Sequence, residues 1–257
     1  MKKRIITAIG ILLIVIPALY FGKTLLMALA TVFSIIAGYE ISLRANDSWP
    51  KWMKLSIPVL FGLAAVCASF KPEYLLACIL LMLIYLMLLL IWHKDVHFDE
   101  IGIIFLVFIM VQVTVCYIQV FAKMNRWINF FIIIATYVTD SFCLFGGMLF
   151  GKHKLNERIS PNKTIEGSFS GWLVGFISSL VFGLLVLKNI AKSFIIFGAV
   201  TMPIIGQMGD LAFSAIKRYF KIKDYGTIFP GHGGVLDRID SLLFNVMWAY
   251  ILATILL

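Results

Sequence analysis

Charged side chains are scarce in this chain. They occupy 14% of its 257 positions, about half the share usual in a globular domain, while apolar residues take 61%. A soluble core of this size cannot bury so much apolar side chain, so the excess must face lipid. Cysteine is scarce too: Cys67, Cys78, Cys116 and Cys143 all lie in apolar stretches. They form no Cys-x-x-Cys pair and fit no zinc framework, which leaves small buried thiols as the plain reading. The chain has only four histidines. His93 and His97 stand four apart, as two ligands on one helical face would, but they sit in a short acidic connection and read as a solvated loop. The 22 basic residues exceed the 13 acidic ones and give a formal charge of +9. In a membrane chain that excess reports topology and anionic partners, and no nucleic-acid partner is expected.

What the sequence does contain is a series of long apolar runs. The basic start Met1-Lys2-Lys3-Arg4 resembles the opening of a signal peptide. The run behind it is long, however, and Ala18-Leu19-Tyr20-Phe21 lacks a small-x-small cleavage site, so an uncleaved membrane helix is expected. Crossing a bilayer takes about 20 helical residues, and spans are expected at 5–22, 24–43, 55–70, 74–92, 101–121, 127–149, 168–187, 193–215 and 240–257. The third is short and contains Pro58. With the N-terminus inside, Lys23, Lys71, Lys123, Arg126, Lys188 and Lys192 fall outside, and the other sixteen of the 22 basic residues fall in cytoplasmic segments. That asymmetry satisfies the positive-inside rule. The expected fold class is therefore an all-α integral membrane protein of about nine transmembrane helices with a cytoplasmic N-terminus.

The chain divides into plain apolar helices over 1–125 and a second part, 126–257, in which polar groups enter the spans. Two polar connections, 150–167 and 216–239, fall on the cytoplasmic side. Gly167, Gly171 and Gly175 make a small-xxx-small stripe for close helix packing. Trp49, Trp52, Trp92 and Trp127 stand near span ends and read as interfacial anchors.

Acids inside the bilayer are the most informative feature. Each costs roughly 2.5–3.5 kcal/mol at a helix centre on insertion scales, so a bundle keeps them only with partners or for function. Asp140 lies within the sixth span and Asp210 within the eighth, and Asp237 and Asp240 open the ninth. If the eighth helix continues, Asp210, Ser214, Lys217 and Arg218 share one face at i, i+4, i+7 and i+8. Hard oxygen ligands beneath a cationic rim suit a magnesium-bound triphosphate. In the connection after this helix, Gly231, Gly233 and Gly234 let backbone N–H groups approach an anion, and Lys223, His232 and Arg238 add side-chain donors. Gly146 to Lys152 fits Gly-x-x-x-x-Gly-Lys, but His153 replaces the magnesium-binding hydroxyl and no strand precedes it, so it is not read as a P-loop.

These residues resemble a known family. Ser214-Ala-Ile-Lys217-Arg218, Lys223-Asp224-Tyr-Gly226, Pro230-Gly231-His232-Gly233-Gly234 and Asp237-Arg238-Ile-Asp240 closely resemble the signature of phosphatidate cytidylyltransferases. Asp140-Ser141, Gly147, Gly151-Lys152-His153-Lys154-Leu155 and Ser160-Pro161-Asn162-Lys163-Thr164-Ile-Glu166-Gly167 look like its second block. Phe142, Met148 and Phe213 depart from the family pattern at positions that are usually small, basic and, in many members, Glu. The resemblance implies CTP and phosphatidic acid as substrates and CDP-diacylglycerol and pyrophosphate as products. It implies catalytic Asp210, Asp237, Asp240 and Asp140, with Asp210 and Asp237 holding Mg2+ and the number of metal ions left open. It implies that Lys163, Thr164, Ser214, Lys217, Arg218, Lys223, His232, Gly233, Gly234 and Arg238 bind substrate. It also implies a bacterial inner membrane with the site facing the cytoplasm; homo-oligomer formation stays open. Two other readings remain. One is a CTP-dependent polyprenol or phytol kinase, and the other is an ion-coupled transporter, against which the one-sided clustering of acids speaks.

Overall fold

In a bilayer each backbone N–H and C=O must be satisfied within its own segment, so long apolar runs become helices. The computed structural model describes the backbone of residues 2–46, 48–229 and 233–257, and the side chains of all of these except 2–9, 11, 12 and 23. It forms α1 (Lys2–Phe21), α2 (Lys23–Ser42), α3 (Lys51–Phe70), α4 (Tyr74–Trp92), α5 (Phe98–Asn125), α6 (Trp127–Phe150), α7 (Ile165–Val186), α8 (Lys192–Tyr219) and α9 (Leu236–Leu256). Among the described residues eight helices, α2 to α9, are long and apolar enough to cross a membrane. The protein is thus an all-helical integral membrane protein, with one addition. Within 150–167, β1 (Lys154–Asn156) and β2 (Ser160–Thr164) pair as a short antiparallel ribbon. The third span, expected to be short, is a full 20-residue helix that starts after Pro50 and keeps Pro58 inside.

The chain packs as two compact units. The first comprises Met1–Met124 and Lys223–Arg238. In it α2 and α3 lie close because Gly38 faces the Phe61 ring and Gly62 faces Ile35, each with no room for a Cβ. Ser34 Oγ (α2) and Gln112 Nε2 (α5) both donate to the Phe61 carbonyl (α3) at 3.0 Å, which ties three helices at one buried point. Trp49 departs from the anchor reading: it is 3% exposed, and its indole N–H donates to Glu100 Oε2 at 3.0 Å. Trp52 and Trp92 are exposed.

The second unit comprises Asn125–Ile222 and Ile239–Leu257. The glycine stripe lets α7 lie directly on α6. A Cβ on Gly167 would come 2.6 Å from the Cys143 carbonyl, and one on Gly171 2.7 Å from the Thr139 carbonyl. Thr164 caps α7 by accepting the Gly167 N–H at 3.1 Å. Helix α9 is pinned by Asn245 Nδ2 donating to Thr136 Oγ1 (2.8 Å) and Trp248 Nε1 donating to Thr201 Oγ1 (2.6 Å). Gly206 and Gly209 let α8 approach Asn245, Phe244 and the Asp240 carbonyl.

Candidate active site

In the second unit, α6, the ribbon, α7 and α8 enclose a cavity of about 470 Å³. Asp140, Asn162, Lys163, Thr164, Ser168, Gln207 and Asp210 give it polar groups, while Leu144, Met148 and Leu155 give it an apolar flank. The ribbon explains why Lys163 reaches this point: β2 turns directly into α7 at Thr164, so its last residues sit beside the α7 N-terminus. Lys163 Nζ pairs with Asp210 Oδ2 at 2.5 Å, both side chains half-buried. Ser168 Oγ donates to Gln207 Oε1 (2.5 Å), and Gln207 Nε2 donates back to the Ser168 carbonyl (3.2 Å).

The expected continuation of the eighth helix is observed, since α8 runs to Tyr219. Ser214 Oγ donates to Asp210 Oδ1 at 3.4 Å. Lys217 is 9% exposed and Asp240 is 6% exposed, and Asp240 lies within electrostatic reach of Asp210, Asp140 and Lys217. Asp140 Oδ1 accepts from Ser241 Oγ on α9 at 3.3 Å, a partner the sequence did not identify. Arg218 donates to the Ile159 carbonyl and to the Ile222 carbonyl at 3.1 Å each.

The glycine-rich connection belongs to the first unit. Asp237 is 7% exposed, and its Oδ2 accepts the N–H groups of Tyr225 (2.7 Å) and Gly234 (2.9 Å). Gly233 has φ +82°, in the left-handed region open to glycine, and a Cβ there would come 2.7 Å from Asp237 Oδ2. Lys223 and Arg238 flank this loop in sequence and are exposed at the surface of the first unit. Pro230, Gly231 and His232 lie outside the described residues, so His232 has no structural account.

Two groups of residues were missed by sequence reasoning. Ser168 and Gln207 carry no charge and sit in apolar helix contexts that drew no notice, while Asn162 was noted as part of a motif and given no role. Glu40 and Arg44 lie in the part read as plain apolar helices. Glu40 falls inside the expected second span, so the logic that singled out Asp140 and Asp210 applied to it equally.

A hard divalent cation suits the donor chemistry of the second unit. Asp140 and Asp210 bring their carboxyl groups within electrostatic reach of Asp240, with Lys217 near it and Lys163 paired to Asp210, and carboxyl oxygens are the donors a hard divalent cation takes. The carboxylates are not closed on one point, and among the described residues no three His, Cys, Asp or Glu side chains are gathered as a metal cluster. For Asp237 the described contacts are those of a loop organiser.

An amphiphilic cavity lined by Asp140, Asp210 and Lys163 and carried on membrane helices suits a membrane enzyme that handles phosphates. A family model described as the cytidylyltransferase family matches residues 2–256, and the chain belongs to that family. Its relatives make the class more specific. It is 31% identical to a phosphatidate cytidylyltransferase of Bacillus subtilis, with 98% of this chain and 97% of the relative covered. It is 33% identical to phosphatidate cytidylyltransferases of Staphylococcus haemolyticus and Staphylococcus epidermidis, each with 95% of both chains covered.

Proposed function

We propose that the protein joins CTP to phosphatidic acid, giving CDP-diacylglycerol and pyrophosphate, at the cytoplasmic face of a bacterial inner membrane. The cavity of the second unit carries this reading. A lipid phosphate is an anionic head on an apolar body, and the cavity offers Lys163, Thr164 and Asn162 beside Leu144, Met148 and Leu155. The nucleophile is a phosphate oxygen of the lipid, whose second pKa lies near about 6, so it is largely ionised at neutral pH and needs no strong base. The work left to the protein is to bring two anions together and to steady the charge developing at the α-phosphoryl group.

Lys163 and Lys217 supply positive charge for this. Lys163, held at 2.5 Å by Asp210, is fixed where an incoming phosphate can take over as its partner. Lys223 and Arg238, exposed on the loop of the first unit, offer donors suited to the departing pyrophosphate. Magnesium, when bound, neutralises phosphate charge and polarises the phosphoryl group; Asp210 would hold it, with Asp140 and Asp240 in support. Ligation by Asp237 is a further part of the proposal.

Product analysis tests the reading. Purified protein incubated with CTP, magnesium and phosphatidic acid in mixed micelles yields CDP-diacylglycerol. No lipid product from phosphatidic acid, with phosphorylation of a polyprenol or phytol instead, overturns it.

A further inference from the structure

The glycine-rich loop is fastened by a residue from the opposite end of the sequence. Glu40, on α2, is 1% exposed. Its Oε1 accepts the N–H of Val235 at 2.8 Å and its Oε2 the N–H of Leu236 at 2.9 Å. These are N–H groups at the start of α9, which have no partner within the helix. One local Ser, Thr or Asp suffices to cap a helix, so a buried carboxylate brought in from another helix does something more. It fixes Val235 and Leu236, at the end of the loop, against α2.

Other contacts in the same unit share this point. Arg44 Nη2 donates to the Tyr225 carbonyl at 3.1 Å, while Asp237 holds the Tyr225 and Gly234 amides from the other side. The loop is thus pinned near both ends. Two glycines accommodate the Glu40 head: a Cβ on Gly226 would stand 2.7 Å from Oε1, and one on Gly234 would collide with the same carboxylate.

We propose that Glu40 is a positioning residue of the transfer reaction, holding the described flanks of the loop, Lys223–Phe229 and Gly233–Arg238, in place for binding the phosphates of CTP, with Arg44 as its second anchor. The proposal rests on the reading that this loop receives the nucleotide. Glu40 touches no substrate and acts only through the amides it holds. Its loss therefore weakens CTP binding and leaves phosphatidic acid binding alone.

Glu40→Gln keeps the shape but turns one acceptor into a donor facing an N–H. The full-length protein in lipid nanodiscs is compared with wild type by hydrogen–deuterium exchange over 223–238 and by steady-state kinetics in both substrates. Faster exchange in that segment and a KM for CTP raised about ten-fold, with the KM for phosphatidic acid and exchange in α6 to α8 unchanged, are expected. Gly226→Ala, which crowds the Glu40 head without removing its charge, shifts both readouts the same way and serves if Glu40→Gln fails to fold. Unchanged exchange over 223–238 overturns the clasp. Faster exchange with an unaltered CTP KM, or with both KM values raised alike, reduces Glu40 to a purely structural residue and overturns the proposal. Absence of lipid product from the wild type is visible on its own and tells against the transfer reading instead.

Discussion

Removing the Lys163–Asp210 pair gives the sharpest test of the cavity. Asp210→Asn removes one charge with little change of shape, Lys163→Met removes the other, and the double variant removes both. An exposed pair contributes about 0.2–1 kcal/mol and breaking a buried one costs about 3–5 kcal/mol. These side chains are 27% and 30% exposed with their charged atoms 2.5 Å apart, so a coupling energy of about 1–2 kcal/mol in stability is expected, between those limits. Catalysis responds more strongly. Each single variant loses at least about 100-fold in turnover, because Asp210 is the proposed metal ligand and Lys163 the proposed phosphate partner. The double variant loses no more than about ten-fold beyond the worse single one, since residues acting as a unit are non-additive. Unfolding in a single detergent and kcat/KM for all four proteins supply the cycle. Normal folded yield with near wild-type turnover in Asp210→Asn removes that residue from the site. Losses that simply multiply show that the two residues serve separate steps.

Three further outcomes follow from named contacts. Gly171→Ala forces a Cβ against the Cys143 thiol and to 2.7 Å from the Thr139 carbonyl; it should destabilise the protein by about 1–3 kcal/mol through overpacking, and an unchanged unfolding midpoint would contradict the close α6–α7 contact. Asp237→Asn keeps the shape but weakens the acceptor that holds the Tyr225 and Gly234 amides; expression should survive while turnover falls at least about 100-fold, and near wild-type activity would remove Asp237 from the machinery. Thr227→Cys places a thiol in the exposed loop; in a background lacking the native cysteines, impermeant reagent should label it only from the cytoplasmic side, and labelling from the opposite face would reverse the topology.

Much of the fold was legible because hydrocarbon leaves the backbone few choices. Spans α4 and α6 fall within about two residues of the expected ones. Helix ends set by polar residues were harder. Helix α5 extends to Asn125 and α8 to Tyr219, past the expected span ends at 121 and 215, because helix geometry continues into the polar rim. The ribbon at 154–164 was not legible: its strands are three and five residues long and carry no alternating pattern. In the site, Asp140, Asp210 and Asp240 stood out because charge is costly in a membrane. Of their partners, Ser214 was visible on the Asp210 face, whereas Lys163 and Asp210 are joined only by the folding of β2, α7 and α8, and Ser241 meets Asp140 only by the packing of α9 on α6. Glu40 is a different case. Its charge was visible, but its purpose lies in two amides more than 190 residues away, a relation that no local pattern carries.

The central claim is that the nucleotide, not a phosphoryl group alone, passes to the lipid. A transferase of this kind must let the β- and γ-phosphates leave together as pyrophosphate, where a kinase would pass the γ-phosphate to an alcohol and release CDP. CTP labelled at the α-phosphate, and separately at the γ-phosphate, distinguishes the two in one incubation with phosphatidic acid. Label from the α position should enter the chloroform-soluble lipid, and label from the γ position should leave as pyrophosphate. Lipid labelled from the γ position, with CDP released, would contradict the account.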